Sequence, residues 1–259
     1  MIDSHCHLTD PRLAEQLDMV LERAAAAGVE RMITIGTDID DAIKCIELCR
    51  SLENVRCAIG VHPNHCGQVP EEDLPRLREL QSDRSVIALG EMGLDYHHHF
   101  APPDRQEEVF EFQLQVATEL KRAVVIHCRE ATDDCLAIMR GFPRVRAVFH
   151  CFTGSIEEAR KILDAGYLLG FTGAVTFKKN DALREACALV PLDRLLIETD
   201  APYLTPEPVR KQKTNEPAFV AHVAAVVARV KNRTVAELDR ITTRNVAALF
   251  GWPHQEKSD

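Results

Sequence analysis

The chain has 259 residues, 46% apolar content and a formal net charge of −9, enough for a large core and a good fit to one α/β barrel of about 250 residues. That acidic balance excludes an extended basic surface of the kind that grips duplex nucleic acid, but not a pocket that accepts one strand end. Nine cysteines without a C-x-x-C pair, no secretion signal at the amino terminus and no uninterrupted apolar run of membrane length point to a soluble cytoplasmic protein with no membrane role and no obligate protein partner.

The first candidate strand, MIDSHCH at 1–7, sets His5 and His7 on one face and Cys6 on the other. Asp10 with Pro11 suits an N-cap and first helical position, and Leu13, Leu17, Val20, Leu21 and Ala24 form one apolar stripe ending at Gly28. Strands are expected at 31–36, at 55–62 ending in His62, and at 85–91 ending in Glu91. A loop with His97, His98 and His99 follows, then a stripe of Val109, Phe112, Val116 and Leu120. The strand at 123–128 carries His127, and the strand at 146–151 carries His150. Gly141 and Gly166 mark helix ends, and Ser155 with Glu158 has capping-box spacing. Strands at 166–173 and 194–200 complete the set, the last ending in Asp200. The basic run RKQK at 210–213 follows.

Eight strands alternating with helices require parallel pairing. Six of the eight end in His5 and His7, His62, Glu91, His127, His150 or Asp200. Function spread over several strand ends suits a barrel, whereas an open sheet gathers it at one switch point. The expected fold is a single TIM-type (β/α)8 barrel domain over 1–259. Imidazoles with carboxylates suit zinc, manganese or iron better than calcium, and the expected ion is zinc, manganese, magnesium or iron. Four histidines, one Glu and one Asp exceed the needs of one ion, so two divalent ions sharing a carboxylate and activating water for hydrolysis are expected. Cys6, Cys128 and Cys151 each follow a candidate ligand and are expected to point away, as packing residues.

Several longer motifs carry a resemblance. IDSHCHL, GEMGLDY, VVIHCREA, HCFTGS, PLDRLLIETDAPYL and RKQKTNEP occur in order. In this the sequence resembles the TatD family of metal-dependent hydrolases, described as deoxyribonucleases within the amidohydrolase-like barrel superfamily. The resemblance implies that His5 and His7 hold one metal with Glu91 and Asp200. It implies that His127 and His150 hold a second, with Glu91 bridging. Asp200 would orient water and act as general base or acid, and His62 and Arg129 would contact the scissile phosphate. DNA, single-stranded or at strand ends, would be the substrate; a small amide, lactone or aminoacyl ester is the alternative. Thr9 stands where the first motif usually has Asp or Asn, and the triple histidine is unusual.

Overall fold

The computed structural model describes residues 1–253; the last six positions of the expected 1–259 unit lie outside the described residues. Eight strands pair in chain order: β1 (Ile2–Cys6), β2 (Arg31–Gly36), β3 (Val55–Ile59), β4 (Val86–Asp95), β5 (Ala123–Arg129), β6 (Ala147–Phe149), β7 (Leu168–Phe171) and β8 (Leu195–Ile197). Every neighbouring pair is parallel. The helices are α1 (Pro11–Ala14), α2 (Leu17–Ala26), α3 (Ile39–Ser51), α4 (Leu74–Leu80), α5 (Pro103–Leu120), α6 (Thr132–Met139), α7 (Ile156–Asp164), α8 (Asp181–Leu189), α9 (Val220–Val230) and α10 (Val235–Phe250). Among the described residues no helix is long and apolar enough to cross a membrane.

The sheet edges meet to give a nearly closed barrel. Cys6 bridges Ala201 in parallel, the Asp200 N–H donates to the His5 carbonyl at 2.9 Å, and the His7 N–H donates to the Ala201 carbonyl at 2.7 Å. Side chains reinforce this seam. Asp3 accepts from the Thr199 N–H at 2.9 Å and from its hydroxyl at 2.6 Å, and the Ser4 hydroxyl donates to the Ile197 carbonyl at 3.0 Å.

Strand alternation divides the core. Ile33, Ile35, Ile87, Val125, Val148 and Leu196 pack together inside the barrel, and Val246, Leu249 and Phe250 at the end of α10 pack onto them. The opposite strand face, with Met32, Cys57, Leu89, Ile126, Phe149, Phe171 and Ile197, meets the helices. Strands covered on both faces read as near-continuous apolar runs, which is why they were legible.

The helix boundaries follow local chemistry. Asp10 caps α1, with Pro11 at its first position, and Ser155 and Glu158 form a complete capping box on α7. Gly28 and Gly166 take the expected positive φ, of 80° and 90°; Gly141 does not. The first apolar stripe is divided between α1 and α2, because Gln16 has a non-helical φ of −132°. On α5 the buried face is Val109, Phe110, Leu114, Val116 and Ala117, while Leu120 is exposed in the last turn, before the left-handed Lys121. Strand β4 runs four residues past Glu91 to Asp95, and β6 and β8 stop short of His150 and Asp200.

Thr199→Val removes the hydroxyl that Asp3 and the Ala201 N–H both use. Leaving these buried groups unmet costs about 1–3 kcal/mol, to be read as a lower midpoint in urea denaturation at unchanged m-value.

Candidate metal centre

The GEMG segment explains how one carboxylate reaches the middle of the barrel mouth. Gly90 and Gly93 have φ of 125° and 135°, and a Cβ on either would strike the β5 backbone, at the Val125 and His127 carbonyls respectively. Only glycine allows β4 to lie this close to β5. Between Leu89 and Met92 the β4–β5 register slips by one residue, a bulge of the kind that re-aims a side chain. Glu91 is thereby buried among four histidines.

Its two oxygens face different groups. Glu91 Oε2 lies 3.3 Å from His5 Nε2. Glu91 Oε1 lies 2.8 Å from His127 Nδ1, 2.5 Å from His150 Nε2 and 3.4 Å from His62 Nε2. Asp200 Oδ1 sits 3.4 Å from His7 Nε2 and 3.7 Å from His5 Nε2. Three donor groups emerge: His5, His7 and Asp200; His5, Glu91 and His150; and His62, Glu91 and His127, the ligand atoms in each lying within 4.8 Å of one another.

All six residues expected as ligands therefore converge. His62, expected at the phosphate, stands beside His127, with their ring nitrogens 3.1 Å apart. His150 stacks on His5, with ring centroids 3.9 Å apart. Arg129 is on the cavity wall, held by a hydrogen bond to the Thr153 hydroxyl at 3.1 Å. His150 and Asp200 lie past their strand ends, in segments where Cys151 and Asp200 take left-handed φ of 47° and 56°. Strand alternation stops there. Cys6 is fully buried as expected, but Cys128 and Cys151 are only partly buried and line the cavity. The run at 210–213 stays outside the cavity, with Arg210 stacked 3.8 Å from the Phe177 ring.

The electrostatics match a cation site. Burial, and then His150, pull the His5 imidazole down to about 4, and burial with His127 does the same to His62; both are held in the neutral form that binds metal. Burial opposes the charge on Glu91, but His150 and His127 overcome it and hold the carboxyl well below the usual range. Asp200 is likewise held low, against burial, by His7 and His150. His5 Nε2 is buried without a hydrogen-bond partner although two carboxylates lie within 3.7 Å. A divalent cation fits these groups: it would satisfy the orphaned nitrogen and offset two buried carboxylates whose desolvation is otherwise costly.

A supporting layer went unread in the sequence. Asp95 Oδ2 lies 3.0 Å from His127 Nε2, leaving Nδ1 turned to Glu91; a carboxylate behind a ligating imidazole fixes its orientation. The signal was present, since Asp95 stands four residues after Glu91 on one strand, the same parity. Two buried glutamines on α5 clamp strand ends. Gln113 holds both the Val61 N–H and carbonyl, and Gln106 holds those of Asp95. Their spacing of seven places both on one helical face. Asn215 donates to the Thr199 and Tyr203 carbonyls, holding the turn that carries Asp200. Glu198 is buried behind His150, and burial raises its carboxyl to about 7. Thr9 donates to Asp41 at 2.7 Å, and both line the cavity that holds the donor cluster.

Residues 2–251 match the TatD related DNase family. The chain belongs to the TatD family. A relative in Bacillus subtilis, the uncharacterized metal-dependent hydrolase YabD, is 41% identical over 96% of this chain and 98% of its own. The 3′-5′ ssDNA/RNA exonuclease TatD of Cronobacter sakazakii is 37% identical over 96% of this chain and 97% of its own. The crystal structure of the TatD homolog YJJV from Escherichia coli superposes with a TM-score of 0.92 at 29% identity, covering 98% of both chains. As a TatD-family member the protein is a metal-dependent hydrolase, and the clusters around Glu91 are the groups able to hold metal.

Adding manganese or zinc to metal-stripped protein should raise its melting temperature, by the equivalent of about 2.7 kcal/mol at one hundred times Kd. Glu91→Gln should abolish that rise in a thermal scan, and Asp95→Ala should weaken metal affinity about 10- to 100-fold.

Proposed function

We propose that the protein is a two-metal nuclease that trims single-stranded DNA from the 3′ end. The observation that carries this reading is Glu91, one of whose carboxylate oxygens faces His5 and the other His127, His150 and His62, in an open cavity of about 770 Å³. In it, His5, His7, Glu91 and Asp200 form one ligand set, and His127, His150 and Glu91 the other, with neutral His62 beside the second. Two ions sharing this carboxylate would supply Lewis-acid chemistry, making water nucleophilic at neutral pH and offsetting charge on phosphate oxygens. The names of relatives that are ssDNA/RNA exonucleases support the substrate class and direction.

The chain's own groups account for orientation and proton transfer. Asp200, kept ionised and fixed by its contact with His7 and by the Asn215-held turn, accepts the proton of the attacking water. The water oxygen bonds to phosphorus as the phosphorus–ester oxygen bond breaks, and Asp200 returns the proton to the departing alcohol. Arg129, on the wall, donates to a non-bridging phosphate oxygen. The concave mouth admits a strand terminus more readily than the middle of a duplex. Nine free thiols fit a reducing cytoplasm.

End-labelled single-stranded and duplex DNA, incubated with the metal-loaded enzyme, tests the reading. Asp200→Asn should lower kcat by about 10²–10⁴-fold, the usual contribution of a general base, while still binding metal. Intact DNA alongside rapid cleavage of small esters or amides would overturn the nuclease assignment and move the same site to the acyl substrates.

A further inference from the structure

The triple histidine serves neither donor set, and beside it Phe100 is 68% exposed. Leaving a phenyl ring in water forgoes its main stabilisation, so its surroundings matter. Phe100 lies over the His98 ring, with centroids 5.8 Å apart and planes inclined by 14°. His98 is itself pinned: Asp95 Oδ1 accepts from the His97 and His98 N–H groups at 3.0 and 2.9 Å, and Asp95 Oδ2 lies 3.0 Å from His98 Nδ1. The same Oδ2 touches His127 Nε2. One buried carboxylate therefore holds both a donor-cluster histidine and an aromatic pair at the rim.

His98 and Phe100 line the cavity that contains Glu91 and Arg129, and Arg129 is the β5 residue paired with Asp95 on β4. The Arg129 backbone thus stands next to the loop's anchor, and its guanidinium donates to the Thr153 hydroxyl on the same cavity wall. The other exposed aromatic in this cavity, Tyr203, has Arg12 over its ring at 4.5 Å and His7 against it at 6.0 Å. Phe100 keeps its outer surface open.

We infer that the Phe100–His98 pair is a stacking platform for the 3′-terminal base of the strand, placed so that the adjoining phosphate falls between Arg129 and Glu91. A π-face accepts any base, so the subsite selects for an unpaired end and not for a sequence. This inference rests on the nuclease reading for the identity of its ligand.

The test uses the metal-loaded full chain. With oligonucleotides, Phe100→Ala should raise KM about 5- to 100-fold, the effect of losing one base–aromatic stack, and leave kcat nearly unchanged, as expected when ground and transition states lose the same contact. Phe100→Tyr should restore it. An oligonucleotide whose 3′-terminal residue lacks a base should show the same KM with both enzymes. Because Phe100 is exposed, its melting temperature should not change. Binding is read separately, in the Asp200→Asn background, from quenching of 2-aminopurine at the 3′ end, which Phe100→Ala should abolish while mid-strand 2-aminopurine is unaffected. Cleavage that depends on Asp200 but is indifferent to Phe100 overturns the platform and leaves the nuclease standing. Phe100-dependent quenching without cleavage by any version supports the platform and overturns the nuclease. Neither quenching nor cleavage overturns both.

Discussion

The seam between β1 and β8 is the constraint on which the rest of the molecule depends. Main-chain hydrogen bonds join His5 and His7 to Asp200 and Ala201, and the seam is secured by a buried acid, Asp3, whose oxygens are both met by Thr199. Burial, with a further push from Glu198, drives the Asp3 carboxyl up to about 8, against the pull of Thr199, so this acid is tolerated only while the seam is intact. Closing the sheet brings His5 and His7 against Asp200, about three-quarters of the chain length away in sequence. An open sheet of the same strands would keep Glu91 beside His62 and His127 but would lose the group of His5, His7 and Asp200.

Around that seam the site is built by restraint of the backbone. Gly90 and Gly93 let β4 press on β5 and turn Glu91 inward. Gln106 and Gln113 tie α5 to the ends of β4 and β3, and Asn215 ties down the turn after β8. Each clamp meets buried main-chain groups at a strand end, where the sheet ladder no longer does so. Four histidines and two carboxylates can then be packed with little freedom to relax, and a pre-positioned set of this kind binds a cation without reorganisation.

An acidic protein cannot attract a polyanion through its overall field. Any grip on a phosphodiester has to be local, and the cavity offers local means: the cation-competent cluster, Arg129 and an exposed aromatic pair. Asp95 couples these parts, since one carboxylate supports His127 on its inner side and the His97–His98 loop on its outer side. The unusual histidine run thus has a physical role as the mount of a rim element.

The sequence by itself determined the barrel and its chemistry. Parallel strands buried on both faces must be apolar, so β1 to β8 appear as distinct runs, and polar residues at their ends, such as His127 and His150, stand out against them. Capping followed from single residues, Asp10 and Ser155, because those interactions are local. Only the tertiary structure decided which donors lie within reach of one another, since strand alternation fails past a strand end, where Cys151 and Asp200 turn left-handed. It placed His62 beside Glu91 and exposed Leu120, Cys128 and Cys151 in part or whole. It also revealed Asp95, Gln106, Gln113 and Asn215, whose partners are main-chain groups or imidazoles brought near by folding. Such contacts leave no periodic trace, because geometry in three dimensions and not spacing along the chain brings them together.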